Sequence, residues 1–235
     1  MLIEKGKRYA VLTGDIVGSS RLSGTERARL HEIMISSRKS VLERFGAGLV
    51  PMKPEIFRGD GWQFIVADSS KSLRVGLFFR ASVRSGMRQK RIDTRVSIGI
   101  GTIDFLPRNN LSGGDGEAFR LSGEALEKLH KSHRMAVALP QSSAGDMSAA
   151  LDVIVKLIDL QAGNWTESQA RAVSGALLGL KQEAIAKECF AKRITQQSVA
   201  QHLDRAGWNS IELGIAFFEE FVGVTHSIGC SGKYK

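Results

Sequence analysis

Only two cysteines, Cys189 and Cys230, occur in 235 residues, and they lie far apart. That scarcity excludes a disulfide framework, argues against a cysteine-ligated zinc site, and makes a reducing cytoplasm the expected compartment. No stretch reaches the roughly 18 consecutive apolar residues of a membrane-spanning helix. The opening Met-Leu-Ile-Glu-Lys-Gly-Lys-Arg leads into a strand pattern without a signal-peptide core, so neither a membrane partner nor export is expected. His31, His130, His133, His202 and His226 share no spacing with one another or with acids that would define a zinc site; solvated surface is the simpler reading. Internal repeats and low-complexity tracts are lacking as well.

What remains is an ordinary globular composition, 43% hydrophobic and 24% charged, in a chain long enough for one or two domains. The net charge of +9 is unevenly spread: residues 164–222 hold six Lys/Arg against seven Asp/Glu, so the excess belongs to the first part of the chain. A positive field there favours polyanionic partners, nucleotides as well as nucleic acids.

Periodicity divides the chain. Residues 7–16 alternate as a strand ending at Asp15. A helix capped by Thr25 follows, with Leu30, Ile33, Met34, Val41, Leu42 and Phe45 at helical spacing. Two strands, 55–59 and 62–67, flank the tight turn Gly59-Asp60-Gly61. A helix over 73–88, capped by Asp68 or Ser69, precedes a strand over 95–102; a helix over 117–129 and a short strand over 135–139 complete the series. The order β-α-β-β-α-β-α-β predicts an α+β, ferredoxin-like domain with one extra unit. From Pro140 no strand pattern appears, and helices are expected at 148–161, 166–180, 181–191, 195–206 and 209–222. The expected division is a 1–140 α+β domain, a 141–148 linker, a 149–225 all-α domain and a 226–235 tail. Arg74, Arg80, Arg84, Arg88, Lys90 and Arg91 on or after one helix read most simply as a solvated basic face. Gly113-Gly-Asp-Gly116 reads as a flexible loop.

Two segments carry chemistry: Leu12-Thr-Gly-Asp15-Ile-Val-Gly-Ser-Ser20 and Phe57-Arg-Gly-Asp60-Gly-Trp-Gln-Phe64. Each sets an aspartate beside glycine at the end of an apolar run. In this topology the first strand lies beside the hairpin strand, so Asp15 and Asp60 approach each other, as carboxylates that hold Mg²⁺ or Mn²⁺ must. The backbone of Ile16, Val17 and Gly18, with Ser19, would offer N–H groups to a phosphate at a helix start.

These motifs, with Val96-Ser-Ile-Gly-Ile-Gly-Thr102 and Gly116-Glu-Ala-Phe-Arg120-Leu, resemble the catalytic domain of class III nucleotidyl cyclases over roughly residues 8–139. The opening Tyr9-Ala-Val-Leu-Thr-Gly-Asp-Ile-Val17, joined to a C-terminal helix-turn-helix, also resembles the small bacterial SatD-like family. The cyclase resemblance implies that Asp15 and Asp60, with the backbone of Ile16, hold metal, and that a dimer builds the site. It also exposes departures. Arg120 and Glu124 stand where cyclases carry the Asn and Arg that orient ribose and stabilise the transition state. An acid cannot replace an arginine beside a phosphate whose negative charge grows during reaction. The purine-selecting lysine is Ile56. Arg58 or Arg120 would be the stand-in phosphate cations. Nucleotide binding without cyclisation is the resulting expectation; a metal-dependent nucleotide-processing enzyme and an interaction module with neither activity are the alternatives.

In the helical part, Thr166 and Gln169 form a capping box. Residues 180–188 and 194–207 resemble the two helices of a helix-turn-helix, with Ala186 at the crossing and Val199 and Leu203 inward. Gln196, Gln197, Ser198, Gln201 and His202 would reach base edges, while Lys192, Arg193 and Arg205 would contact phosphates. The separation from Ala186 to Val199 is thirteen residues against the usual ten or so, and the segment carries no basic excess, so a plain helical bundle is the competing reading. The sequence thus predicts a DNA-binding regulator with a degenerate cyclase-like sensor domain.

Overall fold

The computed structural model describes residues 3–46, 48–57, 60–87, 92–108, 110–140 and 146–230, of which 146 and 225–230 are described as backbone only. Among the described residues five strands form one sheet: β1 (Arg8–Val17), β2 (Glu55–Phe57), β3 (Gly61–Val66), β4 (Asp93–Thr102) and β5 (Met135–Ala138). Their order is β2-β3-β1-β4-β5, antiparallel throughout except for the parallel β4–β5 pair. The expected element order is therefore the observed one, and this is a mixed α/β chain. β1 sits at the centre because it is apolar on both faces, and Tyr9 to Leu12 are buried without a break.

Helices α1 (Gly24–Phe45) and α2 (Ser72–Gly86) belong to one side of the sheet, and α3 (Glu117–Lys128) covers the other. On the first side, Gly76 of α2 lies against Leu12, Val96 and Ile98. On the second, a Cβ at Gly99 would fall 2.3 Å from the Ala118 carbonyl oxygen and the Ser122 amide nitrogen, so only glycine lets α3 come this close. Close approach also joins Thr13 Oγ1 to Ser122 Oγ at 2.9 Å beneath α3, and Gln63 Nε2 donates to the same Thr13 oxygen.

The cap of α1 is Ser23, two residues before the expected Thr25. Its side chain accepts from the Glu26 amide while the Glu26 carboxylate accepts from the Ser23 amide. Both Ser and Thr are good N-caps; the acid three residues on decides between them. Asp68 caps the single turn before α2, and Thr166 and Gln169 form the predicted box.

Five further helical segments follow: α4 (Asp146–Asn164), α5 (Glu167–Leu177), α6 (Gln182–Ala184, running on as a π-turn over Ile185–Cys189), α7 (Gln196–Arg205) and α8 (Trp208–Cys230). The last continues well past residue 222, where the sequence pattern ended it, and takes in the first residues of the expected tail. Residues 141–145 of the expected linker and 231–235 of that tail lie outside the described residues.

One correction concerns α2. Its basic residues do not form a solvated face: α2 is buried on nearly every side between the sheet and the later helices. Arg74 pairs with Glu219 of α8 at 2.6 Å, joined by Lys71 at 2.8 Å. Arg84 donates to the carbonyls of Gly163 and Trp165 at the C-terminal end of α4, where a cation is favoured. Arg80 is fully buried. Arg88, Lys90 and Arg91 lie outside the described residues. The turn around Gly113 to Gly116 is likewise held: Glu55 accepts from the amides of Leu111 and Ser112, and Phe105 pairs with Asp115.

Candidate functional site

The end of β1 and the start of the hairpin meet as the sequence predicts. Asp15 sits opposite Gly61, and the Ile16 amide donates to the Asp60 carbonyl at 3.0 Å, so the two aspartate-bearing segments are stitched together. Beyond Val17 the chain turns through Gly18 (φ 81°), a left-handed conformation that glycine alone enters freely. Ser19 to Arg21 then make one tight turn. The Ser19 hydroxyl donates to Asp60 Oδ2 at 2.9 Å, and the Arg27 guanidinium holds the Ser19 carbonyl at 3.1 Å. Arg21 folds back so that its guanidinium lies over Gly18.

The residue that sequence reasoning passed over is Arg95. It is the cross-strand partner of Asp15 on β4. Its guanidinium grips both oxygens of that carboxylate, Nε to Oδ1 at 2.8 Å and Nη2 to Oδ2. The hydrogen bond to Asp15 holds the Arg95 pKa above its ordinary value, against a smaller opposing effect of burial. Such a bidentate fork is geometrically specific. The signal was present: the predicted topology makes β1 and β4 neighbours, so a residue near the start of β4 must face the end of β1.

Asp15 already has both oxygens on a guanidinium, and Asp60 accepts from Ser19. Among the described residues, no three His, Cys, Asp or Glu side chains gather as a metal-ligating group. Arg95 holds Asp15 from β4, while on the hairpin side Ser19 bonds to Asp60 and Arg27 holds the Ser19 carbonyl.

Of the other expected phosphate contacts, Val17 and Gly18 stand beside Ser19, but Arg120 does not join them. It pairs with Asp115 at 3.0 Å and Asp104 at 3.8 Å beyond the other end of β4. Seven residues of strand, roughly 23 Å, separate Thr102 at that end from Arg95. Glu124 is tied to Lys128 on the surface of α3. Ile56 lies on β2 opposite Trp62. Arg58 and Gly59 lie outside the described residues.

In the helical half, Val199 and Leu203 are buried as expected. Lys192, Arg193, Gln196, Gln197, Gln201 and Arg205 are exposed, and Ser198 is half-buried, its amide taken by the Thr195 cap. His202 is not a free surface group: its ring stacks on Phe190, which also lies under Arg171. The irregular Phe190–Thr195 connection and the π-turn before it account for the long Ala186–Val199 spacing.

A second cluster, which no motif or spacing announces, ties the halves together. Arg80, with its side chain 0% exposed, forks onto Asp93 with two bonds of 2.9 Å and reaches Asp159 of α4 at 2.6 Å. Arg84 adds a further bond to Asp93 at 2.9 Å. The second Asp159 oxygen accepts from the Arg134 amide at 2.8 Å and lies 3.3 Å from His133 Nδ1. Burial works against ionisation of Asp93, but the Arg80 and Arg84 charges and the Thr94 amide outweigh it and hold its carboxyl below the ordinary value. For Arg80, burial is likewise outweighed by Asp93 and Asp159, which raise its pKa.

No protein-family model matches this chain, and no curated protein matches it. Among solved structures, the crystal structure of the guanylyl cyclase Cya2 is similar, at 13% identity and a TM-score of 0.38, over 56% of this chain and 75% of that one. That likeness is distant. The SatD-like resemblance rests on the residues that suggested it. No helix among the described residues is long and apolar enough to cross a membrane.

Proposed function

We propose that the N-terminal part of this chain binds the phosphates of a nucleotide without cyclising it, and that arginine does there what metal does in a working cyclase. One observation carries this reading: the bidentate grip of Arg95 on Asp15. A guanidinium fixed beside the carboxylate neutralises it as a cation would, but it cannot polarise a hydroxyl or bridge phosphates in the manner of Mg²⁺. Arg95 sets a guanidinium at the end of β1, and arginine forks suit phosphate oxygens. The Mg²⁺ or Mn²⁺ expected from the cyclase resemblance is then not required. Glu124 in place of a catalytic arginine points the same way.

The experiment is a titration of GTP and ATP followed by melting temperature, in EDTA and in Mn²⁺, with a parallel search for cyclic nucleotide. Stabilisation in EDTA that is lost in Arg95→Ala, with no cyclic product, supports the reading. Turnover that needs Mn²⁺ and disappears in Asp15→Ala would return the chain to the metal-dependent enzymes.

A second reading concerns the helical half and rests on the exposed row Gln196, Gln197, Gln201 and Arg205 beside Lys192 and Arg193. We propose that α7 enters a DNA major groove as a dimer, whose paired half-sites offset the weak basic charge of one copy. Nucleotide occupancy would reach α7 through α2 and α5. Retardation of DNA at low salt that is lost in Gln197→Ala with Arg193→Ala is the expected outcome. No retardation and no nucleotide-induced stabilisation would leave an interaction module.

A further inference from the structure

Between the sheet and α4 lies a cleft of about 620 Å³, within the size range of small-molecule sites. One wall is apolar: Val153, Leu157 and Leu160, spaced to share a face of α4, are 54%, 58% and 65% exposed, and Val17 closes that wall from the end of β1. Surface helices rarely leave three such side chains in a row uncovered.

The remaining lining is polar, with four cations against two carboxylates. Asp93 and Asp159 face the cleft, but Arg80 and Arg84 already match their charge. Arg134 is held by the carbonyls of Lys131 and His133 and pairs with no carboxylate among the described residues. Lys156 is half-exposed and bonded to Asp152 of its own helix. Among the described residues the buried Arg84 Nε has no hydrogen-bond partner, although the other two guanidinium nitrogens are engaged. A buried donor left unpaired is costly.

We propose that this cleft binds a small organic anion with an apolar body. Its head group is held by Arg134 and Lys156, and its body covers Val153, Leu157 and Leu160. Because α4 forms one wall and α2, Asp93 and the 132–134 turn form the other, such a ligand braces the two halves against each other.

The fluorescent probe 8-anilinonaphthalene-1-sulfonate has this chemistry. Saturable single-site binding is expected, weakened about tenfold or more by Leu157→Glu and by Arg134→Glu, each removing a contact of about 1.4 kcal/mol or more. Leu213→Glu, which alters an exposed leucine on α8, should leave binding unchanged. Octyl phosphate and octanoate should displace the probe and octanol should not. Both Leu157 and the Arg134 head lie toward the surface, and circular-dichroism melting of each variant checks that it folds. Equal displacement by octanol, insensitivity to Arg134→Glu, or loss of binding only in Leu213→Glu would overturn the proposal. So would pelleting with phosphatidylglycerol vesicles, or a change of oligomeric state, that Leu157→Glu abolishes while probe binding persists; those results would give the face to a membrane or to a second copy.

Discussion

Asp93 and Arg95 stand two residues apart on β4, and each enters an arginine–aspartate fork, yet the forks serve opposite ends. The Arg80–Asp93–Asp159 cluster is almost dry, with Arg80 at 0% and Asp159 at 4% exposure; the Asp15–Arg95 pair is 26% and 33% exposed. A buried pair is hard to break, because removing one partner strands the other's charge in a medium that cannot solvate it. A half-exposed pair contributes little to stability, and its guanidinium still faces water, where an incoming phosphate can meet it without the pair breaking. The first is therefore a joint between the sheet and the helical half, and the second is suited to a site.

Mutation should separate them sharply. Asp159→Asn removes one charge from the dry cluster and is expected to cost about 3–5 kcal/mol, visible as a fall in melting temperature of roughly 10 °C for a chain of this size. If it costs no more than a surface change, the joint is not what holds the halves.

Acid should reach the same joint. The folded Asp93 carboxyl titrates below its ordinary value of 3.8. Its stabilisation is therefore fully present above about pH 4 and is lost as pH falls through the depressed folded value, since the unfolded chain takes up the proton first. Melting curves between pH 6 and about pH 2.5 should show this loss for the native chain, and a shallower slope in Asp93→Asn, which starts from a lower plateau.

The exposed fork should behave differently. Arg95→Ala is expected to shift stability by about 1 kcal/mol or less, while abolishing the nucleotide-induced rise in melting temperature. Large destabilisation with nucleotide response retained would reverse the roles assigned to the two forks. The smallest expected contrast lies at the start of α1: Ser23→Ala should cost about 1 kcal/mol and Thr25→Ala no more than about half that, because only Ser23 caps the helix.

The same contrast explains what was legible in the sequence. Strand alternation, the Gly-Asp turns and helical spacing are local signals, and they placed all five strands and brought Asp15 beside the hairpin. Arg95 lay within reach, since strand order alone sets it opposite Asp15. Arg80 did not. Its partners come from 13 and 79 residues away, and an arginine in a basic run on a helix looks the same whether it faces water or a buried carboxylate. Arg120 misled for a related reason: its position in a motif said nothing of Asp104 and Asp115, which draw it toward the far end of β4.

The central claim is that a guanidinium has taken over the Asp15 carboxylate, leaving nucleotide binding without metal chemistry. Calorimetric titration of GTP into the native chain and Arg95→Ala, with and without Mn²⁺, tests it most directly. The account predicts binding in EDTA, no gain from Mn²⁺, and loss of binding in the variant. Binding that appears only with Mn²⁺, and that persists or strengthens when Arg95 is removed, would contradict it.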